Sequence, residues 1–239
     1  MSSIAVFGAG PGLGRAVAHR YAKEGWEVVV VARQAEHLDA LAKALTDAGG
    51  TAHAIAADLA DPAARPELAR RIRAAVGHLD ALYYGVSAGG FVSATDLTPE
   101  HFRAFVPLGM DALIGLVREF LPDMLERGDG AILSAQGASA MRGIPHLSGP
   151  GPVLAAQRNY LQSLQAEVAD RGVYIGRLYI GAAIVGSAWH AQQEAARARG
   201  ELAYEVPTVD PALLADQLWT MHTGRAESEA AHPPRAIPE

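Results

Sequence analysis

The sequence contains no cysteine among its 239 residues. This absence excludes disulfide bonds, a thiolate nucleophile and a zinc site built on cysteine ligands. It is compatible with a reducing compartment. No apolar run reaches the length of a membrane span, and no basic segment followed by an apolar one precedes the first predicted strand. We therefore expect a cytoplasmic protein with no secretory signal and no membrane partner.

Clusters of basic residues are missing as well, and the net charge is −6. Proteins whose main partner is nucleic acid carry a basic patch, so we expect no nucleic-acid partner. No cluster of His, Asp and Glu with the spacing of metal ligands stands out, so no metal is expected. Half of the residues are hydrophobic, and a chain of this length can bury a large core. Residues 1–239 are predicted to form one domain.

Apolar runs of strand length alternate with segments of helical periodicity along the chain. The predicted strands lie at 4–7, 26–32, 51–57, 79–86, 130–135 and 173–180, and the main predicted helices lie at 13–25, 38–45, 62–76, 101–126, 153–170, 187–199 and 213–221. This alternation predicts an α/β fold, a doubly wound parallel sheet with helices on both faces and a ligand beyond the carboxyl ends of the strands. Pro107 is expected to break the long fourth helix. Residues 230–239 are predicted to be an irregular tail, or a short edge segment from residue 232.

A glycine-rich turn follows the first predicted strand, in the sequence IAVFGAGPGLGRA at residues 4–16. Its glycines are Gly8, Gly10, Gly12 and Gly14. Glycine tolerates positive φ and lets a ligand approach the backbone closely. The start of the next helix offers free N–H groups and the positive end of its dipole, which favour a phosphate. The turn is therefore predicted to bind the pyrophosphate of a dinucleotide, with an ordinary glycine-rich turn as the alternative.

Two polar residues follow the next predicted strands. Arg33 ends the second strand, at the place where an acid would bond the ribose 2′-hydroxyl of NAD and repel a 2′-phosphate. Because the guanidinium fork suits phosphate, the sequence favours NADP(H) over NAD(H); a solvated Arg is the alternative. Asp58 follows the third strand, where it can accept from the adenine amino group or cap the helix after Pro62.

The chain resembles the short-chain dehydrogenase/reductase family over nearly its whole length. The resemblance is carried by the spacing Gly8-x-x-x-Gly12-x-Gly14, the Asp58-Leu59 pair, the SAG sequence at 87–89 and the strand, loop and helix at 130–170. It implies one Rossmann-type domain, usually a homodimer or homotetramer, that binds a nicotinamide dinucleotide. The implied cofactor contacts are Gly8, Gly12, Leu13 and Gly14 at the phosphates, Arg33 at the 2′-phosphate, Asp58 and Leu59 at adenine, Ala88 and Gly89 at the ribose side, and Ile180 and Gly181 at the nicotinamide.

The four catalytic residues that the resemblance implies are absent. The family's Tyr and Lys positions fall on Pro150 and Leu154, and its Ser and Asn positions fall on Gly137 and Gly109. None of these side chains donates a proton, so the family's usual acid mechanism is not available. The sequence Pro150-Gly151-Pro152 also predicts that this helix begins only at residue 153, since a residue before proline disfavours the helical conformation.

Three nearby residues are candidate replacements. His146 is the candidate titrating group, with a solvated loop histidine as the alternative. Gln136 and Ser139 flank the missing serine, although Ser139 can instead bond its own backbone. Residues 184–205 are predicted to form a substrate lid. The apolar replacements at Pro150 and Leu154 favour a small apolar substrate.

Three functions remain open at this point. The first is an atypical NADP(H)-dependent oxidoreductase with a non-standard proton donor, such as His146, a hydroxyl group or water. The second is a cofactor-binding scaffold or sensor without redox turnover. The third is a lyase, isomerase or cyclase on the same fold, because a fold does not fix a function.

Overall fold

Seven parallel strands form the central sheet of the protein. The computed structural model describes residues 1–86, 90, 92–201 and 203–234. The strands are β1 (Ser3–Phe7), β2 (Glu27–Ala32), β3 (Thr51–Ala56), β4 (Ala81–Tyr84), β5 (Gly130–Gly137), β6 (Val173–Ile180) and, after a short parallel pair of β7 (Ala183–Ile184) and β8 (Thr208–Val209), β9 (Glu229–His232). Their order in the sheet is β3-β2-β1-β4-β5-β6-β9. The chain order reverses between β1 and β4, which is where doubly wound folds bind ligands.

Helices cover both faces of this sheet. They are α1 (Leu13–Lys23), α2 (Ala35–Asp47), α3 (Arg65–Val76), α4 (Pro99–Arg103), α5 (Ala112–Arg127), α6 (Pro150–Val168), α7 (Ala188–Ala198) and α8 (Pro211–Gly224). Within the described ranges, no helix combines the length and apolarity that a membrane crossing requires. The predicted α/β fold with a doubly wound parallel sheet is confirmed.

Alternate residues of the strands supply two separate cores, because successive side chains of a strand point to opposite faces. In β1, Ile4 and Val6 pack with α1, α2 and α8, whereas Ala5 and Phe7 pack with α3, α5 and α6. All four side chains are fully buried. A strand that is buried on both faces has a continuous apolar sequence, as predicted for β1 and β2.

The start of α6 corrects the sequence-based expectation. The helix begins at Pro150 rather than at residue 153. The first turn of a helix contains N–H groups that have no intrahelical acceptor, so Pro150 and Pro152 lose no hydrogen bond there. Gly151, which precedes the second proline, has no Cβ to clash with the proline ring. The backbone at Pro150, the position that the resemblance aligns with the family's Tyr, is therefore helical.

Two other predicted boundaries change. For residues 230–232 the sequence predicts an irregular tail, with a short edge segment from residue 232 as the alternative. They belong to strand β9, which pairs with β6 at the sheet edge. Residues 235–239 lie outside the described residues. Strand β4 is shorter than predicted, and β5 extends to Gly137. The break at Pro107 is confirmed, because residues Pro107–Asp111 form a π-helical turn before α5.

Candidate cofactor and substrate site

A cleft of about 1200 Å³ opens at the carboxyl ends of the central strands. Segments that follow β1 to β4 line it together with the ends of β5 and β6. Of the predicted cofactor residues, the lining includes Gly8, Gly10, Gly12, Leu13, Gly14, Arg33, Asp58, Leu59, Ile180 and Gly181. Ala88 and Gly89 lie outside the described residues. The cleft has the place and the size expected for a bound dinucleotide.

The glycine turn packs so closely that two of its glycines leave no room for a side chain. A Cβ on Gly14 would lie 2.1 Å from the carbonyl oxygen of Gly8. Gly8 itself has a φ of +91°, and its Cβ would lie 2.9 Å from the oxygen of Gly85. A Cβ on Gly10, by contrast, would meet nothing within 4 Å. The turn is therefore closed toward the sheet and open at Gly10, and α1 begins directly behind it with no acidic residue in its first turn. This arrangement fits a phosphate group.

Two arginines and a histidine line the end of the cleft between β2 and α2. Arg33, immediately after β2, is exposed and lines the cleft with Arg15 and His37. Within the described part of the chain, the guanidinium group of Arg33 has no hydrogen-bond or ion-pair partner. A cation in this position fits an anionic group on the adenosine ribose.

Asp58 lies on the neighbouring side of this end of the cleft. Its carboxylate accepts a hydrogen bond from the backbone N–H of Ala60, at 3.0 Å. The helix cap that the sequence left open as an alternative belongs to Asp61, whose side chain accepts from the N–H of Ala63 at 2.9 Å. Leu59, which follows Asp58 in the chain, is buried. Within the described ranges, the second carboxylate oxygen of Asp58 has no hydrogen-bond partner, and the residue lines the cleft.

The four positions without catalytic side chains meet at the other end of the cleft. Gly109, Gly137, Pro150 and Leu154 all line it. A Cβ on Gly109 would lie 1.9 Å from Cγ1 of Val153, so this valine occupies the space of any side chain at residue 109. A Cβ on Gly137 would have only ordinary contacts, at 3.6 Å from Ser139 Oγ and 3.8 Å from Leu154 Cδ1. Leucine and valine side chains make this end apolar.

Ser139 and Gln136 lie beside these empty positions. Both line the cleft, and both are buried. Ser139 Oγ lies within 3.6 Å of the point where the Cβ of a residue at 137 would be. The Gln136 side chain donates to Gln157 Oε1 at 2.8 Å and to Ser134 Oγ at 3.2 Å. The structure therefore brings two of the three candidate catalytic residues together.

His146 lies apart from the other two candidates. It is exposed and is not part of the cleft lining, although its neighbour Leu147 is. Its Nδ1 is 2.7 Å from Ser93 Oγ, and its carbonyl oxygen accepts from the N–H of Val92 at 2.8 Å. His146 has a φ of 62°, which is uncommon for a residue other than glycine. These contacts fix His146 in the loop and direct its ring toward Ser93.

Tyr204 lines the cleft and belongs to the segment 184–205 that the sequence predicted as a lid, although the sequence reasoning did not single it out. Its ring packs against Trp189 with centroids 6.4 Å apart, and its hydroxyl donates to the carbonyl oxygen of Pro145. Its backbone N–H donates to Oε1 of the buried Gln193 at 2.7 Å. Burial raises the pKa of Tyr204 above the ordinary value. No local pattern marks this residue, because an irregular segment places it over the cleft.

Comparison with known proteins points to one family. The model of the family described as short chain dehydrogenase matches residues 2–195. An uncharacterized oxidoreductase, YghA, of Escherichia coli (strain K12) is 31% identical over 175 residues, which cover 71% of this chain and 58% of that protein. A 2-dehydro-3-deoxy-L-rhamnonate dehydrogenase (NAD(+)) of Sphingomonas is 30% identical over 72% of this chain and 68% of its own length.

Solved structures share the fold at lower sequence identity. The F189W actinorhodin polyketide ketoreductase with NADPH has a TM-score of 0.86 at 21% identity and covers 96% of this chain and 94% of its own. L-Sorbose reductase from Gluconobacter frateurii, complexed with NADPH and L-sorbose, has a TM-score of 0.85 at 22% identity, covering 96% of this chain and 93% of its own. Because the sequence identities are this low, the structural similarity establishes the fold alone.

Proposed function

Because the chain belongs to the short chain dehydrogenase family, we propose that it is an atypical NADP(H)-dependent oxidoreductase that acts on a small apolar carbonyl compound or alcohol. One observation carries this proposal. A single cleft joins the open glycine turn and Arg33 at one end to Ser139 and apolar side chains at the other. A dinucleotide held at the first end extends toward a substrate at the second.

The preference for NADP(H) over NAD(H) depends on Arg33. Its guanidinium is free to bind a 2′-phosphate bidentately, and no acid stands at the end of β2 to repel one. Among similar proteins, the ketoreductase and the sorbose reductase are described with NADPH, whereas the Sphingomonas relative is named for NAD(+). The family therefore includes both cofactors, and the choice in this chain rests on its own residues.

The proposed reaction uses side chains that this chain retains. An NADPH molecule held by the glycine turn and Arg33 would supply the hydride. The hydroxyl group of Ser139 donates a hydrogen bond to the substrate carbonyl oxygen and stabilises its developing negative charge. Val153 and Leu154 exclude bulk water from the reacting carbon. We assign delivery of the proton to a water molecule bound at Ser139 rather than to His146, which lies outside the cleft lining. The hydroxide left by this water is then protonated from solvent.

A cofactor-binding protein without turnover is the second candidate. The packing of Val153 against Gly109 favours it, because this contact excludes a side chain from one of the four catalytic positions. The remaining three carry glycine, proline and leucine. A protein of this kind would bind NADPH as a sensor or a scaffold.

Two measurements separate these functions. NADPH is first titrated into the protein with tryptophan fluorescence as the readout, and a panel of apolar aldehydes and ketones is then screened for NADPH oxidation. We expect saturable binding and slow oxidation, with the oxidation rate reduced in Ser139→Ala and NADPH binding retained. Binding without oxidation of any panel member favours the sensor or scaffold. No binding of NADPH contradicts both functions.

A further inference from the structure

A chain of buried amide groups ends at the floor of the cleft. Gln157, on α6, donates from Nε2 to the carbonyl oxygen of Gly109 at 2.6 Å. Its Oε1 accepts from Nε2 of Gln136 at 2.8 Å. The two glutamine side chains are 1% and 3% exposed, respectively. The chain therefore connects the π-helical turn before α5 through α6 to the end of β5.

The direction of these hydrogen bonds is fixed by the backbone carbonyl group of Gly109. A backbone carbonyl only accepts, so Gln157 must present its NH₂ group to Gly109 and its oxygen to Gln136. Gln136 must then present its own NH₂ group to Gln157. The remaining atom, Gln136 Oε1, is consequently fixed as an acceptor, and neither amide can rotate without placing two oxygens against each other.

This acceptor is buried and has no partner. Gln136 Oε1 has no hydrogen bond in the structure, although Gln136 lines the cleft. An unsatisfied buried polar group costs about 1–3 kcal/mol, so such groups nearly always have a partner in the working state of a protein. The neighbouring positions Gly137 and Leu154 have no side-chain donor to offer. A group that enters the cleft beside Gln136 can supply this donor.

We propose that Gln136 Oε1 is a ligand subsite that accepts a hydrogen bond from an O–H or N–H group at the substrate end of the cleft. This inference rests on the proposed function and specifies its substrate class. A carbonyl oxygen has no proton to donate, whereas the corresponding alcohol has one. Gln136 therefore favours ligands with a hydroxyl group. Ser139 instead donates a hydrogen bond to a ligand that carries a carbonyl oxygen. The carboxamide N–H of the cofactor is the other possible source of the donor.

Unreactive probes test this subsite by binding alone, so the result does not depend on whether the protein turns over. The first pair is 1-methylcyclohexanol, a tertiary alcohol that cannot be oxidised, and its methyl ether, which lacks the O–H. The second pair is NADP⁺ and its 3-acetylpyridine analogue, which lacks the amide N–H. Dissociation constants are measured for the wild type and for Gln136→Met, with the first pair added to protein saturated with NADP⁺.

We expect the wild type to bind the alcohol about fivefold more tightly than the ether, as one net hydrogen bond allows. Gln136→Met should abolish this preference and leave binding of the ether unchanged. If Gln136→Met instead abolishes only the preference for NADP⁺ over its analogue, the donor is the carboxamide. If both preferences are the same in the wild type and the variant, the subsite does not exist. If the wild-type protein does not bind NADP⁺, the result contradicts the proposed function.

A second variant covers the case in which Gln136→Met does not fold. Gln136→Glu in its protonated form keeps one oxygen as an acceptor while its O–H donates to Gln157 Oε1, so it reproduces the original arrangement. It should retain the preference for the alcohol. Loss of that preference in a folded Gln136→Glu protein would overturn the assignment. Thermal unfolding, measured for each variant first, shows which of them are folded.

Discussion

In the proposed function, the selectivity between NADPH and NADH depends on Arg33. It is exposed at the end of β2 and has no ion-pair partner among the described residues. A free guanidinium loses little when it binds a phosphate, because no existing interaction has to be broken. Selectivity is then a difference between two affinities, set by one charge–charge contact that NADH cannot make.

Replacing Arg33 by glutamate should reverse this contact. We expect Arg33→Glu to weaken NADPH binding by at least tenfold and to change NADH binding much less, since only NADPH carries the 2′-phosphate. Fluorescence titration with both cofactors measures the two effects. Arg103→Glu, an exposed arginine on α4 that does not line the cleft, is the matched control. Equal losses for NADPH and NADH would show that Arg33 does not contact the 2′-phosphate.

Two glycines at the catalytic positions differ in the space around them. Gly109→Ala should destabilise the protein by about 1–3 kcal/mol, because its Cβ would overlap Val153. Gly137→Ala has only ordinary contacts and should change the free energy of unfolding far less. Urea unfolding of both variants measures the difference, and the double variant Gly109→Ala, Val153→Ala should recover part of the loss. A Gly109→Ala protein as stable as the wild type would contradict this packing.

At the scale of elements, strand β9 is held to β6 by a buried ion pair. Arg177, 2% exposed on β6, donates from Nε to Oε1 of Glu229 at 3.0 Å. Tyr179 and Arg158 also donate to this carboxylate, at 2.9 and 3.1 Å. Burial opposes the charged carboxylate, but these hydrogen bonds and the charge of Arg177 outweigh it and lower the pKa of Glu229. These side-chain contacts add to the backbone pairing of β9 with β6.

Removal of Glu229 should leave Arg177 buried without its counter-ion. We expect Glu229→Leu to lower the free energy of unfolding by about 3–5 kcal/mol, the usual cost of breaking a buried pair. In Glu229→Leu, the amides of residues 229–232 should exchange hydrogen faster than in the wild type. This increase should be larger than any increase in β1. Glu201→Leu, which removes the exposed partner of Arg199, serves as the control and should have no measurable effect. A stable Glu229→Leu protein would mean that apolar packing holds the edge strand.

At the scale of the whole molecule, the packing of α8 on α1 makes stability depend on pH. His222 is buried, and its Nδ1 is 2.8 Å from the hydroxyl of Tyr21. The Tyr21 ring lies 5.2 Å from the Trp26 ring and 5.0 Å from the Trp219 ring, measured between centroids. The His222 ring lies 5.3 Å from the Trp26 ring. Burial, aided by the charge of Arg225, lowers the pKa of His222 to about 4. The folded state therefore favours the neutral imidazole.

Stability should fall as the solution becomes acidic. Because the unfolded chain takes up a proton at His222 near pH 6.5, the contribution of the neutral histidine is complete above that pH and is lost as pH falls toward about 4. This contribution is about 3 kcal/mol, since each pKa unit is worth about 1.4 kcal/mol. Urea unfolding between pH 4 and 7 measures it. His222→Gln should remove this part of the slope, whereas the exposed His37→Gln should keep it. An unchanged slope in His222→Gln would contradict the assignment.

Much of the fold could be predicted from the sequence because its signals are local. Continuous apolar runs mark strands that are buried on both faces, and helical periodicity marks the segments between them. Predictions were wrong where a local rule had exceptions that depend on position. The start of α6 at Pro150 is one example, since a helix's first turn tolerates proline. Strand β9 is another, because Glu229 is held there by Arg177, which is 52 residues away in the sequence.

The sequence by itself determined the class of fold and the glycine turn at Gly8–Gly14, because both follow from residue type and spacing along the chain. It also shows that residues 109, 137, 150 and 154 carry no side-chain proton donor, although only the resemblance to the family singles out these four positions. Only the tertiary structure decided that Gln136 Oε1 has no partner, that His146 is outside the cleft lining and that Tyr204 is part of it. Hydrogen-bond satisfaction and access to a cleft depend on contacts between distant segments, and no local pattern of the chain encodes them.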